Sequence, residues 1–235
     1  MLKNKRLDFL VRAIILTLYC TLFDVLDRFF DLGGYIFSLS KLIALVFILF
    51  TVKNEKIFAR FSPKYLFLIL LSFIATFVLC YSKTEFSGNI ASFIKNFIFL
   101  AITIFLEELF FRSNSFKIFD EGGVISLKNA SFIIFVFLIC NLPIFIFRDI
   151  NASILTIIYL LALDFLILGI FLSSKNVILC FLCSLFPSGT ELYFTEFSSI
   201  SALYNSWVFY LIYTLTVVFY IGVGSIFILR NTVRK

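Results

Sequence analysis

The 235-residue sequence contains no histidine. That absence excludes a Ser–His–Asp set and any imidazole-held metal, and it removes the one side chain that ordinarily titrates near neutral pH. Charge is scarce too, with 14% of residues charged and 62% hydrophobic. Soluble domains run nearer roughly a quarter charged and half apolar. One core of this size cannot hide such an excess, so much apolar surface must face lipid. No glycine-rich nucleotide loop is present, and nothing in the loops suggests nucleic-acid recognition. There is one methionine and there are three prolines, against 35 phenylalanines. Phenylalanine suits lipid-facing positions, and this bias reads as composition, not function.

What is present is a series of unbroken apolar runs, such as Ala44 to Phe50 and Phe67 to Leu71. Backbone groups in lipid must satisfy one another, which leaves helices or a closed barrel. Barrel strands alternate apolar and polar residues, and these runs do not. The expectation is an all-α, polytopic membrane bundle of about eight transmembrane helices, a single integral membrane domain over 1–235. The predicted spans are 10–29, 35–52, 65–82, 90–111, 131–147, 153–173, 177–187 and 207–229, from the roughly 17–25 apolar residues that crossing requires. The first is interrupted by Arg12, Asp24, Asp27 and Arg28 and has an interfacial alternative. The seventh is short, with a possible continuation past Pro187. Gly33-Gly34, Ser62-Pro63, Gly122-Gly123 and Ser188-Gly189 carry turn chemistry. No small-x-small cleavage site precedes Asp24, so the first span is expected to be retained. Trp207 and Tyr210 suit an interfacial belt, and Gly222-x-Gly224 suggests close helix packing.

With the N-terminus placed inside, fourteen basic residues fall in cytoplasmic segments and three, Arg28, Lys83 and Arg148, fall outside. This bias follows the positive-inside rule and predicts a multi-pass protein of the cell membrane with both termini cytoplasmic. The net charge of +6 then faces anionic lipid. The remaining cations, Arg12, Lys41 and Lys95, lie within spans. Lys41 and Lys95 sit about 9 Å from the outer ends of theirs and are expected to snorkel to water.

The five cysteines, Cys20, Cys80, Cys140, Cys180 and Cys183, all lie in apolar stretches. They read as small inert hydrophobes, without a disulfide framework or a thiolate zinc site. No cofactor and no metal are expected.

Carboxylates inside a bilayer are costly and rarely idle. Three qualify: Glu107, Glu108 and Asp164. Arg112 follows Glu108 by four residues, the favourable order for a helical ion pair. Glu107 points about 100° away from Glu108 on a helix and has no local cation. It should face the bundle interior, where it is a candidate general base for water. A purely structural hydrogen bond to a neighbouring span is the competing reading. Asp164 has no cation three or four residues away and is expected to pair across helices with Arg12 or with serine and threonine hydroxyls, or else to serve as a proton relay or meet substrate.

The stretch Glu107-Glu-Leu-Phe-Phe-Arg112 resembles the EExxxR signature of the CPBP family, the CAAX-type prenyl-protein endopeptidases and their bacteriocin-processing relatives. The resemblance covers about 90–190. It implies a bundle of about eight membrane helices with a site opening toward the cytoplasm, and a lipidated or transmembrane peptide as partner. Two further motifs, FxxxH and HxxxN, are expected on later spans. Phe137-Leu-Ile-Cys-Asn141-Leu-Pro143 resembles the first with Asn141 in the histidine position. The run from Asn176 to Ser188 resembles the second, with Ser184 in place of histidine and Ser188 in place of asparagine. Glu107, Ser184 and Asn141 would lie about 8, 11 and 15 Å from the cytoplasmic ends of their spans, close enough for one polar layer. Neither Asn nor Ser replaces imidazole as a zinc ligand or a proton acceptor, although Asn141 can donate to an oxyanion. The resemblance therefore implies a catalytically degraded member. A small transporter using Asp164 and Glu107, and a membrane scaffold subunit, are the alternatives. The oligomeric state is not legible.

Overall fold

The structure is a computed structural model and describes residues 4–52, 63, 65–67, 69–70, 90–120, 124–141, 150–193 and 207–232. Among these the chain is helical throughout, with no strand. Helix α1 spans Lys5–Phe29 and α2 spans Tyr35–Val52. Helix α3 (Ile90–Glu108) runs directly into a π-helical turn, Leu109–Asn114, and then into the short α4, Ser115–Phe119. Helices α5 (Leu127–Asn141), α6 (Ile150–Ser174), α7 (Val177–Tyr193) and α8 (Trp207–Thr232) complete the described order. Among the described residues, four segments are long and apolar enough to cross a bilayer: Lys5–Phe29, Tyr35–Val52, Ile157–Ser174 and Tyr210–Thr232. Most of the expected span at 65–82, the Gly122-Gly123 turn, Arg148 and Cys80 lie outside the described residues.

The charges that interrupt the first span are each compensated locally. Asp8 pairs with Arg12 at 3.0 Å and Asp24 with Arg28 at 2.9 Å, both one helical turn apart. Asp27 is buried and serves the next helix. Its carboxylate accepts from the backbone N–H groups of Gly34 (2.6 Å) and Ile36 (2.9 Å), satisfying donors at the α2 N-terminus that the helix itself leaves open. The chain reverses between the two helices through Asp31, Gly33 and Gly34, all at positive φ. Tyr19 then bonds the Ser40 carbonyl across the antiparallel pair at 3.3 Å.

Phe9 of α1 is fully buried in an aromatic cluster with Phe110, Phe119 and Phe132, ring centroids 5.6, 5.4 and 6.5 Å away. Phenylalanine thus fills the core as well as the lipid-facing surface, where Phe47 and Phe50 stand exposed. Helix α6 is the most enclosed, with Leu166, Leu168, Ile170 and Phe171 fully buried. It packs most extensively on α8. Gly169 and Gly224 sit where the two backbones meet, and a Cβ on Gly224 would lie 2.4 Å from the Phe165 carbonyl. The neighbouring Gly222 faces open space, so half of the expected glycine pair makes the close approach.

Helices α6 and α7 are joined by Lys175 and Asn176 alone. Lys175 takes φ 52°, and the Asn176 side chain caps α7 by accepting from Ile178 N (2.9 Å) and Leu179 N (3.2 Å). The expected break at Ser188-Gly189 does not occur. Helix α7 continues through Pro187 to Tyr193, because a proline removes one donor from the ladder without forcing the helix to end.

Candidate functional site: two neighbouring glutamates in separate surroundings

Glu107 and Glu108 end α3, immediately before the π-helical turn. Single π-turns inside helices recur at functional positions. This one carries Arg112, which is fully buried together with every other residue of the turn to within a few per cent.

Glu108 faces inward to α6 and α7. Arg112 Nε donates to its Oε2 at 3.0 Å, and the Ser184 hydroxyl donates to its Oε1 at 2.5 Å. The other arm of the guanidinium, Nη2, donates to Asp164 Oδ1 on α6. One cation thus holds two carboxylates from different helices and ties α3, α6 and α7 together. Asp164 is 1% exposed. Arg12, the cation expected for it, is instead paired with Asp8 on its own helix. The correction has a simple origin: Arg112 already lies inside the bundle on the turn beside α6, whereas Arg12 meets an acid on its own helix first. The set is incompletely satisfied, since Arg112 Nη1 and Asp164 Oδ2 have no hydrogen-bond partner.

Glu107 points the other way. It lines a cavity of about 140 Å³ bounded by α1, α2, α3, the π-turn and α5, along with Thr17, Cys20, Asp24, Lys41 and Asn141. The volume is enough for a few waters or one small polar group. Glu107 is partly exposed into this space, and among the described residues no donor hydrogen-bonds its carboxylate. Asn141 is buried at the end of α5, with its amide donating to the Phe137 carbonyl at 2.9 Å. Its carbonyl oxygen has no partner of that kind among the described residues.

Lys41 does not snorkel. It is buried, its amine donates to Thr103 Oγ1 at 2.8 Å, and it lies 3.8 Å from the Phe37 ring centre. Thr103 and Glu107 are one turn apart on α3, so two polar groups on a single face draw the amine into the bundle. The sequence offers Lys41 and Glu107 as unmatched charges of opposite sign, but in the second and fourth spans, where no local rule pairs them. Lys95 reaches the α1–α2 turn and donates to the Gly33 carbonyl at 3.0 Å.

The sequence-derived site residues therefore divide. Glu107 and Asn141 line one cavity; Glu108, Arg112 and Ser184 form the buried network beside it, joined by Asp164. Ser188 belongs to α7, and its side chain lies outside the described residues. The four described cysteines are unpaired: Cys20 and Cys140 line the cavity, while Cys180 and Cys183 are buried, with the Cys180 thiol against the Asn176 carbonyl at 3.4 Å. Among the described residues no three histidine, cysteine or acidic side chains gather into a possible metal site.

The network at Glu108 can hold helices together, whereas the space at Glu107 can accept a ligand's donor group. No known protein-family model matches the chain, and neither a curated protein nor a solved structure resembles it closely enough to count as a match.

Proposed function

We propose that the chain is a CPBP-like protein of about eight membrane spans, in the cell membrane with both termini cytoplasmic. In this reading it retains the acidic centre of the CAAX-type endopeptidases but not their turnover. Its cavity holds a polar group of a lipidated or transmembrane peptide without cutting it. One observation carries the reading: Glu107 faces a cavity with no donor on its carboxylate, while the adjacent Glu108 is fully engaged by Arg112 and Ser184.

A carboxylate left open in this way can accept a hydrogen bond from a peptide N–H or from water. Hydrolysis needs more: a second group must carry a proton to the leaving amine, and donors must meet the oxyanion. Asn141 has its amide turned to Phe137, and Ser184 has its hydroxyl turned to Glu108. Neither is a proton carrier near neutral pH. The transport alternative is weakened by Asp164, which is clamped by Arg112 and does not line the cavity.

The test uses the purified full chain in detergent or liposomes with quenched-fluorescent lipidated peptides and with photo-crosslinking versions of them. Crosslinking that falls at least fivefold in Glu107→Gln, without cleavage in either protein, supports the reading. Cleavage by the unaltered chain that Glu107→Gln abolishes would restore a working peptidase. Cleavage or crosslinking indifferent to Glu107→Gln removes the role assigned to that residue.

A further inference from the structure

A second space, larger and of different chemistry, lies beside the first, with Leu16 of α1 lining both. It is a groove of about 430 Å³ between α1, α2 and the π-turn. Its walls are apolar, with Ile15, Ile43, Ala44 and Phe47 among them, and three of these are more than half exposed. Three of its four polar lining residues come from near the start of α1 (Arg12), the end of α2 (Thr51) and the end of the π-turn (Asn114), with Tyr19 at the other end of the α1 wall. Lys117 joins them by donating its amine to the Thr51 carbonyl.

We propose that this groove holds one acyl chain of an anionic phospholipid, with the headgroup phosphate at Arg12 and Lys117. An open groove lined by hydrocarbon gives water few polar partners and is poorly filled by it. In a bilayer the neighbouring material is lipid tail. The groove follows α1 from Arg12 to Tyr19, seven residues or about 10 Å, which fits within the roughly 15 Å hydrocarbon depth of one leaflet. Its polar end falls where a headgroup would. Thr51 is the penultimate residue of α2, and Arg12 stands about 10 Å from the start of α1, within the snorkelling reach of an arginine.

Charge at that end favours an anion. Arg12 and Lys117 oppose a single carboxylate, Asp8. Asp8 engages Arg12 through Nε (3.1 Å) and Nη2 (3.0 Å), leaving Nη1 without a partner among the described residues. A guanidinium can hold a carboxylate and a phosphate oxygen at once, which an ammonium does less well. Asn114 adds a side-chain amide at the same end.

The purified chain, reconstituted into vesicles of equal phosphatidylglycerol and phosphatidylcholine and then re-extracted, is examined by native mass spectrometry and lipid quantification. The expected result is one retained phosphatidylglycerol per chain, preferred at least fivefold over phosphatidylcholine. Ala44→Phe places a ring inside the groove and should lower retention about tenfold. Ile43→Trp, on an exposed wall where folding is not at stake, should lower it as well. Arg12→Gln should keep a bound lipid but lose the preference, whereas Asp8→Asn should keep or raise it. Three results overturn the proposal: retention unchanged in both groove-filling variants, equal retention of the two lipids by the unaltered chain, or a lipid-free dimer that Ile43→Trp dissociates, which would make a second copy the occupant.

Discussion

Replacing either of two glycines in α8 with alanine should produce opposite results two residues apart. Gly224→Ala places a methyl group 2.4 Å from the carbonyl carbon and oxygen of Phe165 and 2.7 Å from Leu166 N, all backbone atoms of α6. Ordinary contact begins near 3.4 Å, so the helices must part by about 1 Å. No side-chain rotation relieves a clash with backbone. The parted surfaces include fully buried Leu166 and Tyr220, so the cost falls in the overpacking range of about 1–3 kcal/mol. Gly222→Ala meets nothing within 4 Å. Both substitutions gain the same helix preference of alanine over glycine, about 1 kcal/mol. Subtracting one variant from the other cancels that gain and isolates the steric cost. The difference should appear as about 2–12 °C in melting temperature at this chain length. The assay is thermal unfolding in a single detergent with a thiol-reactive fluorogenic dye, since buried Cys180 and Cys183 become reactive only when the helices separate. If Gly224→Ala melts at or above Gly222→Ala, the close α6–α8 crossing is not what holds this pair together.

Arg112→Met leaves Glu108 and Asp164 buried without a cation and should cost about 3–5 kcal/mol, read as loss of folded protein in the same melting assay. Asp27→Ala removes the acceptor for the first N–H groups of α2 and should cost about 0.5–2 kcal/mol, with earlier proteolysis at the α1–α2 turn as a local readout. Lys175, in the α6–α7 turn, has its amine pushed down to about 8 by burial, partly offset by Asp120. An amine-reactive label at pH 8 should modify it ahead of ordinary lysines. The same shift makes folding more favourable as pH rises from 8 toward 10.5, because over that window the unfolded chain keeps a proton that the folded chain has released.

Features set by spacing along one helix were legible in the sequence. The Glu108–Arg112 pair follows from a separation of four, and the roughly 100° between adjacent side chains places Glu107 and Glu108 in different surroundings. The α6–α7 turn lies where the apolar pattern breaks at Lys175 and Asn176. Features that depend on which helices are neighbours were not legible. Asp164 is 52 positions from Arg112, and no local rule selects that cation over Arg12. For Lys41, depth in a span predicts snorkelling, but the polar face of α3 decides its direction. The run of α7 past Pro187 is one of two readings the sequence leaves open, because proline weakens a helix without dictating its end. The π-turn had no signal at all: its residues Leu109 to Asn114 suit an ordinary helix.

The separation of the two glutamates bears on what the EExxxR pattern reports. Glu108 and Arg112, with Asp164 and Ser184, form a buried ionic network joining three helices. Removing one member strands the opposite charge in a medium that cannot solvate it. Such residues resist change for reasons of folding, whatever the protein does. Glu107 is held less tightly: its counter-charge is the Lys41 amine beside the same cavity, which keeps its own hydrogen bond to Thr103. It opens on a cavity, and its replacement by glutamine strands no partner held by hydrogen bond. Under the proposed kinship, a chain that stopped cleaving peptides could lose its imidazoles while Glu108 and Arg112 stayed fixed by stability. Most of the signature would then report the bundle, and the chemistry would rest on Glu107 and the positions held by Asn141 and Ser184. The two roles separate experimentally: Arg112→Met should fail to fold, whereas Glu107→Gln leaves Lys41 its hydrogen bond to Thr103 and should lose much less stability while losing what binds in the cavity. A Glu107→Gln protein as unstable as Arg112→Met would place both acids in one structural network and remove the distinction.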